Sequence, residues 1–154
     1  MQITNFYDFI ELNYILICSV AGWAIAQLLK TIIHLILAKK FVAERLVGSG
    51  GMPSSHSATV CALATSTLFI YGYQSFEFAI ATIFSLIVMY DAIGVRQETG
   101  KQSKILNEMM RVFQDMGDKW KSPEERLKEF IGHTPLQVLM GAILGIFIAI
   151  ILRP

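Results

Sequence analysis

The chain has 154 residues, enough for one domain, and is 54% hydrophobic and only 16% charged. With a mean hydropathy of +0.53 it lies far from soluble domains, of which roughly a quarter of the residues are charged. The composition excludes an ordinary soluble globular protein, and a net charge of +1 gives no footing for nucleic-acid binding.

In chain order, residues 1–11 read as an interfacial lead-in, with Phe6, Tyr7 and Phe9 suited to the headgroup region. The start lacks the basic segment of a cleavable signal peptide, so the first apolar block is expected to stay as a span. That span is predicted over 12–37 and carries Gln27, Lys30 and His34 toward its far end. A linker with Lys39, Lys40, Arg45 and the glycine cluster leads to a second span over 57–73, and a short connection to a third over 78–95. A fourth is predicted over 134–152. Between the last two, 96–132 is polar, but Ile105, Met109, Val112, Phe113 and Met116 recur at helical spacing, as in an amphipathic helix on a membrane surface. Ser122-Pro123-Glu124-Glu125 reads as the start of a second short helix in the same segment.

The expected fold is therefore all-α, a single polytopic membrane domain of about four transmembrane helices with an amphipathic helical segment between the third and fourth. The 38–53 linker holds three basic residues and 96–132 holds eight, whereas 1–11 and 74–77 hold none. The positive-inside rule then puts both long polar segments in the cytoplasm, with Arg153 at the far end as an exception. Cys18 and Cys61 fall toward opposite faces, so neither a disulfide nor a metal site is expected. Gly141-Ala142-Ile143-Leu144-Gly145, and Gly22 with Ala26, are small-residue seams for close helix packing, and are also compatible with a homodimer.

Four antiparallel spans bring the end of the first, the start of the second, the end of the third and the start of the fourth to one membrane face. Those positions hold Lys30 and Arg45, then His56, then Asp91 and Arg96, then His133. His56 closes the stretch Gly50-Gly51-Met52-Pro53-Ser54-Ser55-His56, a glycine turn entering a helix whose unpaired amides and positive dipole end suit a phosphate. The plainer alternative is a serine cap beside an interfacial histidine, just as Lys30 can snorkel to the surface. Asp91 is harder to treat as incidental, because a carboxylate costs about 2.5–3.5 kcal/mol at the bilayer centre and needs a partner, for which Lys30, Arg96 or a histidine is a candidate. In Gly132-His133-Thr134-Pro135-Leu136-Gln137, a capping box accounts for Thr134, Pro135 and Gln137 but leaves His133 unexplained. Two histidines, two or three cations and a helix start make a phosphoryl-transfer site with no metal or other cofactor required.

These residues resemble a family. Pro53-Ser54-Ser55-His56 looks like the Pro-Ser-Gly-His motif of the type 2 phosphatidic acid phosphatases, a superfamily shared with vanadium-dependent haloperoxidases. The segment from Gly132-His133 to Gly141 looks like that superfamily's third motif. The whole chain is more closely similar to a divergent branch of small bacterial and plant membrane proteins, marked by Gly-Gly-Met-Pro-Ser-Ser-His, Tyr-Asp-Ala-x-Gly-Val-Arg and Gly-His-Thr-Pro. Tyr90-Asp91-Ala92-Ile93-Gly94-Val95-Arg96 matches the second of these. The resemblance implies His133 as nucleophile, His56 as general acid, and Lys30, Arg45, Ser54, Ser55 and Arg96 around the phosphate. It departs from the wider superfamily in the loose spacing of Lys30 and Arg45, in Ser55, and in lacking a serine-arginine pair shortly before His133, although Arg126 lies nearby. It also has Gln137 where an orienting aspartate is expected, a role that Asp91 is expected to take over. The implied function is a phosphatase in the bacterial cell membrane, acting at the cytoplasmic face on a lipid phosphate or polyprenyl (di)phosphate. The alternatives are a non-catalytic binder or translocator of such lipids and, more remotely, a structural membrane subunit or a vanadate-using oxidase.

Overall fold

The computed structural model describes residues 13–38, 51–115 and 133–153. They form five helices and, among the described residues, no strand: α1 (Tyr14–Ala38), α2 (Ser55–Tyr71), α3 (Phe76–Ile93), α4 (Val95–Asp115) and α5 (Pro135–Ile151). The fold is the all-α membrane bundle indicated by the sequence, with apolar α1, α2, α3 and α5 and with amphipathic α4 between the last two. The interfacial lead-in, Arg45 and the short helix expected from Ser122 lie outside the described residues.

The bundle is polar inside and apolar outside. Leu16, Val20 and Leu28 on α1, Ile83 and Ile87 on α3, and Ile143 and Phe147 on α5 are exposed. Ser19, Gln27, Lys30, Ser57, Ser66, Thr67 and Ser85 are buried. Water would reverse this arrangement, whereas lipid tails favour it, because only the interior offers partners to polar groups. α1 and α3 are each long and apolar enough to cross a membrane. α2 and α5 have 17 residues each and reach roughly 25 Å at 1.5 Å per residue.

α2 is the central element, touching α1, α3 and α5. Surrounded by helices, it can be rich in serine and threonine, and their hydroxyls turn back onto carbonyls. Ser66 Oγ donates to the Ala62 carbonyl and Thr67 Oγ1 to that of Leu63, each at 2.7 Å. From α3, Ser85 Oγ donates across to the Val60 carbonyl at 2.7 Å. The neighbours approach closely because they present glycine. A Cβ at Gly141 or Gly145 would overlap the carbonyls of Ser54 and Ala58, and one at Gly22 would lie 2.9 Å from the Ala58 oxygen. The small-residue seams are thus used inside one chain, against α2.

Connections fix the helix directions. Gly72, with φ of 80°, ends α2, and the Ser75 hydroxyl caps α3 by accepting from the Phe78 amide at 3.2 Å. At the other end of the chain the Tyr14 hydroxyl donates to the Ala149 carbonyl, placing the start of α1 beside the end of α5. Arg153 stacks 4.5 Å over the Phe69 ring, which gives this cation a local partner at the membrane end where the 74–77 connection holds no lysine or arginine.

The close approach gives a direct test. Gly145→Val is expected to lower stability by about 1–3 kcal/mol or more through overpacking. Ile143→Val, two residues away on the lipid side, should stay within about 0.5 kcal/mol. Thermal unfolding of the purified protein in one detergent measures both.

Candidate functional site

The site is assembled by two backbone bonds between segments far apart in sequence. The Ser54 amide donates to the Gln137 carbonyl at 3.0 Å, locking the start of α2 to the first turn of α5. The His133 amide donates to the Ala92 carbonyl at 3.0 Å, locking the residues ahead of α5 to the last turn of α3. These bonds bring the His56 and His133 rings to a centroid separation of 6.2 Å, tilted by 59°. Rings so placed are not bonded to each other, and one tetrahedral phosphoryl group is large enough to touch both.

His133 is 2% exposed and His56 half-buried, so His56 stands at the opening with His133 beneath it. His133 Nδ1 lies 3.2 Å from Gln137 Oε1. The Thr134 amide donates to that same oxygen at 3.1 Å, completing the capping box in which Thr134 Oγ1 accepts from the Gln137 amide. A backbone N–H can only donate, so the Gln137 atom it meets is the amide oxygen, and the imidazole nitrogen facing that oxygen carries the proton. Nε2 of His133 therefore holds the lone pair. Among the described residues the one enclosed side-chain polar atom without a partner is Thr82 Oγ1. Nε2, which makes no such bond, is accordingly not sealed in.

His133 stands ahead of α5, and burial holds its imidazole below the ordinary value of 6.5. The bond to Gln137 offsets part of this, while the charges of Lys30, His56 and Arg96 add to the lowering. The ring is neutral at neutral pH, the form a nucleophile needs.

Lys30 is 3% exposed and packs its stem against Gly51, where a Cβ would lie 3.1 Å from Lys30 Cγ. Its ammonium donates to Gln27 Oε1 at 2.6 Å. Gln27 is the partner that sequence reasoning passed over, although its spacing of three residues from a lysine inside an apolar helix was the available signal. Arg96 Nε donates to Asp91 Oδ2 at 2.7 Å, and the Lys30 and Arg96 charges act on both imidazoles.

Two expectations change. The Ser54 hydroxyl, expected near the phosphate, caps α2: it accepts from the Ser57 amide at 3.3 Å and from Ser57 Oγ at 3.0 Å, and Ser54 is fully buried. The Ser55 and His56 amides of this turn have no acceptor within their own helix. Asp91, expected to orient His133, is bonded to Arg96, and Gln137 itself holds the His133 ring. Ser55 is buried at the first residue of α2. Among the described residues no group of three or more metal-ligating side chains occurs.

The profile of the divergent PAP2 family matches residues 12–148. An uncharacterized membrane protein of Bacillus subtilis (strain 168), YuiD, is 36% identical over 148 residues, covering 91% of this chain and 94% of its own length. No solved structure matches. The chain belongs to the divergent PAP2 family, in a membrane-embedded form that carries two facing histidines.

Proposed function

We propose that the protein is a membrane phosphatase that hydrolyses a lipid phosphomonoester or diphosphate through a phosphohistidine. The observation that carries this reading is the bond from His133 Nδ1 to Gln137, which leaves Nε2 free beside His56 and within reach of two cations. Nε2 of His133 attacks phosphorus, and the bond from phosphorus to the lipid oxygen breaks. Protonated His56 gives its proton to that oxygen, so the lipid leaves as a neutral alcohol, or as the shortened phosphate when the substrate is a diphosphate. Neutral His56 then takes a proton from water as it attacks the phosphohistidine, and inorganic phosphate departs with His133 restored. Lys30, Arg96 and the first amides of α2 hold the non-bridging oxygens, where charge is greatest in the transition state. The basic bias of 38–53 and 96–132 supports a site at the cytoplasmic leaflet, reached by phosphatidate-like lipids or polyprenyl (di)phosphates.

Phosphate release in mixed micelles tests the reading. His133→Ala should abolish turnover and the acid-labile phosphoprotein trapped on rapid quenching. His56→Ala should lower kcat by about 10²–10⁴-fold, the usual worth of a general acid. A wild-type protein that is thermally protected by phosphatidate but releases no phosphate belongs to the second reading, a lipid-phosphate binder or translocator. The neutral Gln137, which cannot balance the charge that His133 gains on attack, is what favours that alternative.

The lowered His133 value fixes the sign of the pH dependence. Falling pH protonates Nε2 and removes the nucleophile, so the acid limb of kcat/KM should have its midpoint below 6.5. Gln137→Glu keeps the length and the capping box but adds a charge, and should move that limb up by about one unit or more. A limb that stays in place shows that His133 does not govern it.

A further inference from the structure

Asp91 and Arg96 are five residues apart, which on a continuous helix puts side chains on different faces. They meet because the helix breaks between them. Gly94, at φ −87° and ψ −90°, closes α3 by donating from its amide to the Tyr90 carbonyl, and α4 begins at Val95. Arg96 Nε donates to Asp91 Oδ2 at 2.7 Å across this joint, with both side chains about two-fifths exposed. A guanidinium has five N–H donors in a planar fork, and this bond uses the one on Nε. The four on the two Nη atoms make no hydrogen bond to a described residue.

The same guanidinium lies where its charge acts on both histidines. The Asp91 carboxylate does not bond to His133, whose Nδ1 belongs to Gln137. A carboxylate beside a phosphate would ordinarily repel it, so its presence here needs a reason. Held at Nε, the arginine keeps its bidentate Nη edge for an anion while the acid stays behind it.

We infer that Asp91 is the positioning residue of a phosphate clamp: it fixes Arg96 by Nε so that both Nη groups serve the non-bridging oxygens of the substrate phosphate. This deepens the phosphatase reading and depends on it only for the fate of the bound phosphate. A lysine at 96 has a single head for both tasks and cannot replace the arginine.

The test uses the full chain in detergent, with orthovanadate affinity read by thermal shift and phosphatidate hydrolysis read as KM and kcat. Asp91→Ala should weaken vanadate binding and raise KM by about tenfold or more, the worth of a hydrogen bond to a charged group, with a smaller fall in kcat. Asp91→Asn should recover most of this, since its amide oxygen still accepts from Nε. Asp91→Ala combined with Arg96→Ala should be no worse than Arg96→Ala alone, because the acid acts only through the arginine. Four results overturn the inference: Asp91→Asn as damaged as Asp91→Ala, additive losses in the double variant, a lower melting temperature with unchanged vanadate affinity, or a wild type that binds no vanadate. A wild type with this vanadate pattern but no phosphate release overturns the phosphatase reading and leaves the clamp standing. Turnover with vanadate affinity indifferent to Asp91 does the reverse.

Discussion

Gln137 is the residue on which the site depends. Its backbone carbonyl accepts from the Ser54 amide and so fixes the start of α2. Its side-chain oxygen accepts from the Thr134 amide and faces His133 Nδ1, so one atom both caps α5 and sets a tautomer. Few side chains fit these demands together. The third helical position of a capping box favours glutamate or glutamine, and an imidazole donor needs an oxygen at that distance. An aspartate is shorter by one carbon and reaches back less readily to the Thr134 amide. Glutamine in this position therefore follows from a helix cap and a support for the His133 ring merged into one residue, with a dipole in place of a charge behind the ring.

That arrangement holds because α2 lies at the centre of an inverted bundle. A helix enclosed on three sides can bury Ser54, Ser57, Ser66 and Thr67 without a cost in unpaired groups, since each hydroxyl finds a carbonyl or another hydroxyl. Glycines on α1 and α5 bring their backbones against α2, and the turn that carries His56 is thereby pressed against the turn that carries Gln137. The precision of the site comes from backbone contact at Gly141 and Gly145. Side-chain packing, which in lipid has no hydrophobic gain behind it, contributes less to placing these turns.

Much of this was legible in the sequence because the constraints were local or compositional. Blocks of apolar residues gave the helices within about two residues at most ends, and the Thr134-Pro135-Leu136-Gln137 pattern gave the cap that is observed. The meeting of His56 with His133 was legible too, because antiparallel helices must bring those ends together. Three things were not. Ser54 reads equally as a cap or as a phosphate ligand, and only its burial and its bonds to Ser57 decide. Gln27 stands at a spacing from Lys30 that allows a bond, but only the Lys30 ammonium on its oxygen shows that the bond is made. Asp91 was assigned to His133 because a missing carboxylate invites a substitute. Arg96 was among the candidate partners of Asp91, but the order of residues does not show that the helix break at Gly94 selects it.

The two cations differ in kind, and the difference follows from where each stands. Lys30 sits deep, 3% exposed, its stem lying along Gly51, where a Cβ would lie 3.1 Å from Lys30 Cγ. A slim chain with a compact head fits such a channel, and the Gln27 side-chain oxygen accepts from that head. Arg96 stands at the rim, where α3 gives way to the amphipathic α4 and the side chain is partly wet. There a fork with separate donors can hold an acid with one edge and offer the other. Burial thus increases from Arg96 and His56, each partly exposed, to Lys30 and His133, while the outer faces of the bundle stay apolar.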